Sequence, residues 1–238
     1  MRRFYAPTEN FNTGKITLEL EETRHLRDVL RLREGEKIQV FDGAGKEFLG
    51  AIETVSKKET QLKIIKEVSP TAAESNLDLT LAVALLKGEK FDLVLQKAVE
   101  LGVTRLIPLN TKRADVKLKD GEKKLERWRK IVIEATKQCG RAKLMQIESP
   151  VDFEKFIALA DGTKFLFAEK DGASFPTLED DKKIVAIIGA EGGWEDAEIE
   201  AAREKGFQIV TFGGRILRAE TAAISTMAVL QNRFGDFV

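Results

Sequence analysis

KIVAIIGAEGGW, residues 183–194, and QIVTFGGRILRAET, residues 208–221, decide the fold class of this chain. Each is a short apolar run that ends in glycine, and each is followed by helical spacing: Glu195 to Lys205, closed by Gly206, after the first, and about Thr221 to Phe234 after the second. An apolar run without polar alternation suits a strand covered on both faces, so helices are required on both sides of the sheet. The same alternation extends back to residue 77. LDLTLAVALL reads as a buried strand, and GEKFDLVLQKAVELG as a helix with Phe91, Val94, Leu95 and Ala98 on one face and Gly102 as its C-terminal cap. VTRLIPL, KLMQIES and KFLFAE read as further strands, separated by a long basic helix to about Gln138 and a helix opening at Asp152. Strands alternating with helices predict an α/β domain with a mainly parallel sheet.

Before residue 70 the period changes. ITLEL, EKIQVFDG, EFLGAIETV and TQLKIIKEV are short alternating segments, with Ile38 and Val40 set against Lys37 and Gln39, which predicts a small antiparallel β-barrel. One helical interruption, about Glu22 to Leu32, carries Arg24, His25, Arg27 and Arg31. SPTAAESN, residues 69–76, is small and polar and reads as a linker, so two domains are expected, 1–70 and 71–238.

The 238 residues are 43% hydrophobic and 33% charged, with 39 Lys+Arg against 39 Asp+Glu, which excludes a disordered chain. One cysteine, Cys139, and one histidine, His25, leave no set for a disulfide framework or a structural zinc, so no metal is expected. The first residues lack the apolar core of a signal peptide and no stretch is long enough to span a membrane, which points to the cytoplasm. The zero net charge is a cancellation: residues 112–143 hold 12 basic and 5 acidic side chains, and residues 144–211 hold 7 and 15. The basic block and the cluster at 24–33 read either as solvated helix faces or as surfaces that follow a phosphate backbone.

In open α/β sheets ligands bind at the carboxyl ends of the strands. There the chain offers Glu169 and Lys170, then Gly189-Ala190-Glu191-Gly192-Gly193-Trp194, then Gly213-Gly214-Arg215-Ile216-Leu217-Arg218-Ala219-Glu220-Thr221. Neither loop fits a dinucleotide fingerprint or a P-loop. Ile216 and Leu217, set between arginines, suit a flat apolar ligand such as an adenine ring held by backbone amides, or else packing against the core. No nucleophile–base arrangement stands out, so any chemistry needs few protein side chains and suits transfer from an activated cofactor.

These segments carry a family resemblance. IIGAEGGWEDAEIEAA with FGGRILRAETAAISTMAVLQ resembles the paired C-terminal signatures of the RsmE family, the small-subunit (16S) ribosomal RNA uracil-N3 methyltransferases of the SPOUT class. KGEKFDLVLQKAVELGVTRLIPL, ERWRKIVIEATKQCGR and HLRDVLRLREGEKIQVFDG resemble its lysine–helix segment, its central basic helix and its RNA-binding half, so nearly the whole chain is covered in order. Ala190 stands where the family commonly has Pro, Trp194 where it often has Phe, and Ala219 where Thr is frequent. The resemblance implies a PUA-like barrel, a trefoil-knotted C-terminal domain, a homodimer, S-adenosylmethionine as cofactor and 3-methyluridine as product. Carried over, the cofactor would lie among Phe167, Ala168, Glu169, Gly189, Ala190, Glu191, Gly192, Gly193, Phe212, Gly213, Ile216, Leu217, Arg218 and Thr221. Arg218 is the first candidate to stabilise charge developing on the uracil ring, and Glu220 is a candidate proton acceptor or a partner orienting Arg218, if it is not simply a favourable charge at a helix start. Arg2, Arg3, Phe4, Tyr5, Arg24, His25, Arg27 and Arg31 are the candidates to hold flanking RNA. A neutral protein should bind bulk RNA poorly, so a structured target such as an assembled subunit is expected. A non-catalytic ribosome-assembly protein and a ribose 2′-O methyltransferase are the alternatives.

Overall fold

The computed structural model describes residues 2–116, 121–170, 172–176 and 182–237. Contacts divide the chain into two units, Met1–Glu74 with Ile133–Leu144, and Ser75–Val132 with Met145–Val238.

The first unit is a six-stranded sheet in the order β1 (Arg3–Tyr5), β4 (Lys37–Phe41), β5 (Glu47–Val55), β6 (Thr60–Val68), β3 (Lys15–Leu18), β2 (Phe11–Asn12). Its pairs are antiparallel except β1 with β4, where Phe4 registers with Val40. The alternating positions point inward as their period requires: Ile16, Leu18, Ile38, Val40, Ile52 and Leu62 form one buried core with Phe4 and Leu26. Register shifts between Leu49/Gly50 and Ile52/Thr54 bend β5, which lets the sheet curl over that core. Strand β1 has no counterpart in the sequence reading, because three residues are too few to display a period. The helix begins two residues earlier than expected, as α1 (Leu20–Arg24), and loosens into a π-helical turn at His25–Val29, where Leu30 N–H reaches back to His25 O.

The second unit is an all-parallel sheet in the order β10 (Val151–Asp152), β8 (Arg105–Asn110), β7 (Asp78–Ala84), β12 (Lys183–Ile188), β11 (Thr163–Phe167), β13 (Gln208–Val210), with the short β9 (Gln146–Ile147) also on β8. Burial of Ile184 to Ile188 without a break is what the uninterrupted apolar run demanded. One face carries α4 (Phe153–Leu159) and α5 (Asp196–Glu204), whose Phe153, Phe156, Ile157 and Ala202 join Leu166, Val185 and Ile187 in a single core. On α2 (Lys90–Glu100), Phe91, Val94, Leu95, Ala98 and Val99 are buried at helical spacing, and the helix packs on α6 (Ala219–Phe234). Gly102, at φ +70°, ends α2 as expected; a Cβ there would lie 2.8 Å from Gln231 Nε2, so conformation and space both require glycine. The basic helix α3 (Glu122–Cys139) begins in the second unit, with Trp128 against Phe91, and its last residues belong to the first.

Candidate active site

Strands β7, β12, β11 and β13 are neighbours, so their carboxyl ends bring four loops to one edge of the sheet. A cavity of about 290 Å³ opens there. It is lined by Phe167, Ala168 and Glu169 after β11, by Gly189, Ala190, Glu191 and Gly193 after β12, by Phe212, Ile216, Leu217 and Arg218 after β13, and by Lys90 after β7.

The glycine loop owes its shape to Trp194. Its indole Nε1 donates to Phe167 O at 2.9 Å, pinning the loop to the end of β11, and its ring packs on Phe153. A Cβ on Gly189 would come within 3.0 Å of that indole. Gly193 N–H closes a turn on Ala190 O, at φ +70°, and a Cβ there would meet the Glu169 carboxylate at 3.1 Å. The departures at Ala190 and Trp194 thus have physical content: Ala190 packs with Ala84 and Ala114, and the indole N–H ties two loops together, which Phe cannot do.

A third loop buttresses this one. Lys112 N–H donates to Glu198 Oε1, Glu195 N–H to Glu198 Oε2, and Arg113 Nη1 to Gly192 O. Glu198, in the first turn of α5, is buried with both oxygens on backbone amides and acts as a brace. Gly192 faces the Arg113 backbone and does not line the cavity.

Charge converges at Lys90. Its Nζ lies 2.9 Å from Glu191 Oε1 and 4.0 Å from Glu220 Oε2. Partial burial pushes Glu191 up, but hydrogen bonds from Lys90 and from backbone amides outweigh it, so its pKa falls below the ordinary carboxylate value. Lys90 was missed in the sequence, although the strand-end rule that selected the other loops applies equally to the loop after β7. Trp194 and Arg215, which also line the cavity, stood in the loops the sequence offered but were not among the residues carried over for the cofactor, and Ala222 was not named.

Of the remaining candidates, Gly213 lines a separate cavity of about 270 Å³ with Ser225 and Val229, which shares Phe212, Arg215 and Leu217 with the first. Thr221 is exposed on the first turn of α6, which starts at Ala219, two residues before the expected Thr221. Glu220 faces a neighbouring groove that shares Lys90 with the cavity. Arg218 is exposed at the N-terminal boundary of α6, with its side chain on the cavity.

In the first unit the candidates separate. Arg24 and Arg31 are exposed, and Arg2 joins them by donating to Leu30 O. Arg27 is partly taken, with a fork onto Asp28 and Nη1 on Ser56 O. Arg31 holds φ +55°, a strained conformation for a side chain, separated by Leu30 from the π-helical turn, whose last residue, Val29, is 66% exposed. His25 stands edge-on to the buried ring of Phe4. Tyr5 lies half-buried on Phe41, where burial and the nearby Glu9, Glu19 and Asp42 raise its phenol pKa. Arg3 requires a correction. Its side chain is 8% exposed, its fork grips the fully buried Glu47, and its remaining N–H groups reach Thr136 O, Lys137 O and Arg141 O, so it has no donor left for phosphate. Within the basic block, Lys137 is buried between Glu22 and Glu134 and Arg141 pairs with Glu74, so both serve packing. Residues 117–120 of that block lie outside the described residues. Among the described residues no group could hold a metal ion, and no helix is long and apolar enough to cross a membrane.

Fold and site define an RNA methyltransferase built from two kinds of domain: an RNA methyltransferase domain matches residues 73–231, and an RNA methyltransferase PUA domain matches residues 18–65. Among relatives, the ribosomal RNA small subunit methyltransferase E of Synechocystis is 35% identical over 95% of this chain and 76% of its own, and that of Aquifex aeolicus is 30% identical over 98% and 100%. A crystal structure of the Neisseria gonorrhoeae ribosomal RNA small subunit methyltransferase E bound to S-adenosylmethionine superposes with a TM-score of 0.91 at 36% identity, covering 100% of both chains. The chain belongs to the ribosomal RNA small subunit methyltransferase E family.

Proposed function

We propose that this protein methylates N3 of a uridine in small-subunit (16S) ribosomal RNA, with S-adenosylmethionine held in the cavity at the strand ends. The observation that carries the reading is the convergence of the glycine and arginine loops on one cavity lined by apolar and acidic groups. The donor set fits the cofactor: Phe167, Phe212, Ile216 and Leu217 suit a flat ring, and Glu169 and Glu191 suit ribose hydroxyls and positive charge. Bound there, S-adenosylmethionine supplies a methyl group already activated by its sulfonium.

The chain's own work is then to position uracil and to move one proton. Arg218, at the cavity, stabilises negative charge as it develops on the ring. Glu220, in the first turn of α6, takes the N3 proton, and the helix start favours its carboxylate form. N3 lies on the pairing edge of uracil, so the enzyme works on an unpaired or splayed-out base. Arg2, Arg24, Arg27, Arg31 and His25 in the first unit hold flanking RNA, which gives the strained turn at His25–Arg31 a use. A cytoplasmic homodimer with a knotted catalytic domain, acting on an assembled subunit, completes the reading.

The test combines calorimetric titration with S-adenosylmethionine and mass mapping of small-subunit ribosomal RNA from cells lacking the protein, before and after it is restored. Cofactor binding with one regained methyl on a uracil base is expected. A binder without transfer, or a methyl on a ribose, would refute the proposal.

A further inference from the structure

A second groove, of about 620 Å³, runs between α2, α3 and the start of α6, and Lys90 forms the wall it shares with the strand-end cavity. Leu93, 39% exposed, and Ile131 are its apolar lining; Gln96, Glu89 and Arg127 stand along it, with Arg127 paired to Asp92. At the shared wall lies an open acceptor: Glu220 Oε2 is buried without a hydrogen-bond partner, and Lys90 Nζ, at 4.0 Å, covers it without bonding to it. A buried carboxylate oxygen left unsatisfied is costly and signals an absent partner.

We propose that this groove seats the target nucleotide, and that Lys90 together with Glu220 selects uracil over cytosine. The inference rests on the methyltransferase reading. Uracil presents an acceptor, O4, beside a donor, N3–H; cytosine presents a donor, its 4-amino group, beside an acceptor, N3. A lysine ammonium only donates and a carboxylate only accepts, so the pair matches uracil at both positions and opposes cytosine at both. The Lys90 head, on its flexible stem, turns from Glu191 toward O4 and uncovers Glu220 Oε2 for N3–H, while Leu93 and Ile131 meet the ring face. Substrate choice and proton removal then use the same carboxylate.

Fluorescence anisotropy with labelled pentauridylate and pentacytidylate, on the full-length protein saturated with S-adenosylhomocysteine, tests this. The wild-type protein is expected to prefer pentauridylate by about tenfold, the worth of one well-made hydrogen bond. Lys90→Met should erase the preference, and Lys90→Arg, which keeps a donor and serves as the variant of conserved charge, should retain it. A wall residue with only a structural role would weaken both oligonucleotides alike and leave their ratio intact. Equal binding of the two by wild type, or a Lys90→Met protein that still prefers uracil, overturns the proposal. So does a Leu93→Arg protein whose sedimentation mass falls while both affinities stay unchanged, because the groove is then a face for a second copy. Methyl transfer from S-adenosylmethionine to small subunits from cells lacking the enzyme, measured on the same protein before S-adenosylhomocysteine is added, separates the two claims. Transfer without base preference sinks the groove alone, and binding of cofactor without transfer sinks the methyltransferase reading.

Discussion

Replacing Arg3 by alanine separates a packing role from an RNA-binding one. The substitution removes a fork bonded to Glu47 at 2.9 and 3.0 Å and opens three carbonyls, Thr136 O, Lys137 O and Arg141 O, that it holds at 2.8–3.1 Å. Glu47 is fully buried, and its other hydrogen bond, from Thr71 N–H at 3.3 Å, cannot balance its charge. Removing one member of a buried pair costs about 3–5 kcal/mol, most of it the penalty on the charge left behind. Arg3→Ala should therefore lower the stability of the first unit by that amount, read by urea denaturation followed by circular dichroism and by hydrogen exchange of β4 and β5 amides. Arg3→Lys keeps the charge but loses the planar fork, so it too should destabilise, by less than Arg3→Ala. The double variant Arg3→Leu with Glu47→Leu leaves no charge unpaired and should cost less than the sum of the single changes by about 2 kcal/mol. A phosphate contact predicts the reverse on every count: near-native stability in all variants, lost RNA affinity in Arg3→Ala, and retained affinity in Arg3→Lys. That outcome would refute the assignment of Arg3 to the core.

Trp194→Phe removes the donor to Phe167 O and should cost about 1–3 kcal/mol while weakening S-adenosylmethionine binding, measured by thermal melting and calorimetry. Unchanged cofactor affinity would show that the loop does not depend on this bond. Gly193→Ala forces φ +70° on an L side chain and drives its Cβ to within 3.1 Å of Glu169, so cofactor affinity should fall about tenfold by calorimetry, and an unaffected value would contradict the tight turn. Arg218→Ala should lower methyl transfer about 100-fold or more while leaving cofactor binding largely intact; a normally active variant removes Arg218 from the mechanism. Arg27→Ala with Arg31→Ala should weaken RNA binding and flatten its salt dependence, and no change in either would confine RNA contact to the second unit.

Much of the second unit was legible because its signals are local. Uninterrupted apolar runs, helical spacing from Phe91 to Val99 and a terminal Gly102 are each set by neighbours within a turn or a strand, and the strand-end rule then led to the loops that line the cavity. Glu169, Glu191 and Arg218 could be found that way, since each lies in the loop between a strand and the next element. Lys90, Trp194 and Glu198 could not be given roles, because what each does depends on partners far along the chain: Glu191, Phe167 O and Lys112 N–H.

The charge pattern marks the boundary most sharply. Sequence alone determined the alternation that builds the sheet, the loops at its carboxyl edge, and the division of a neutral total into a basic and an acidic block. It could not tell a basic residue on the surface from one in the core, since a guanidinium reads the same in either place. Only the tertiary structure assigned Arg3, Lys137 and Arg141 to buried pairs, and joined Ile133–Leu144 to the first unit across the intervening Ser75–Val132. Only it left Arg24 and Arg31 exposed. The physical reason is that a buried charge persists where a partner of opposite sign and open carbonyls meet it, and that meeting is a property of packing, which no window along the chain contains.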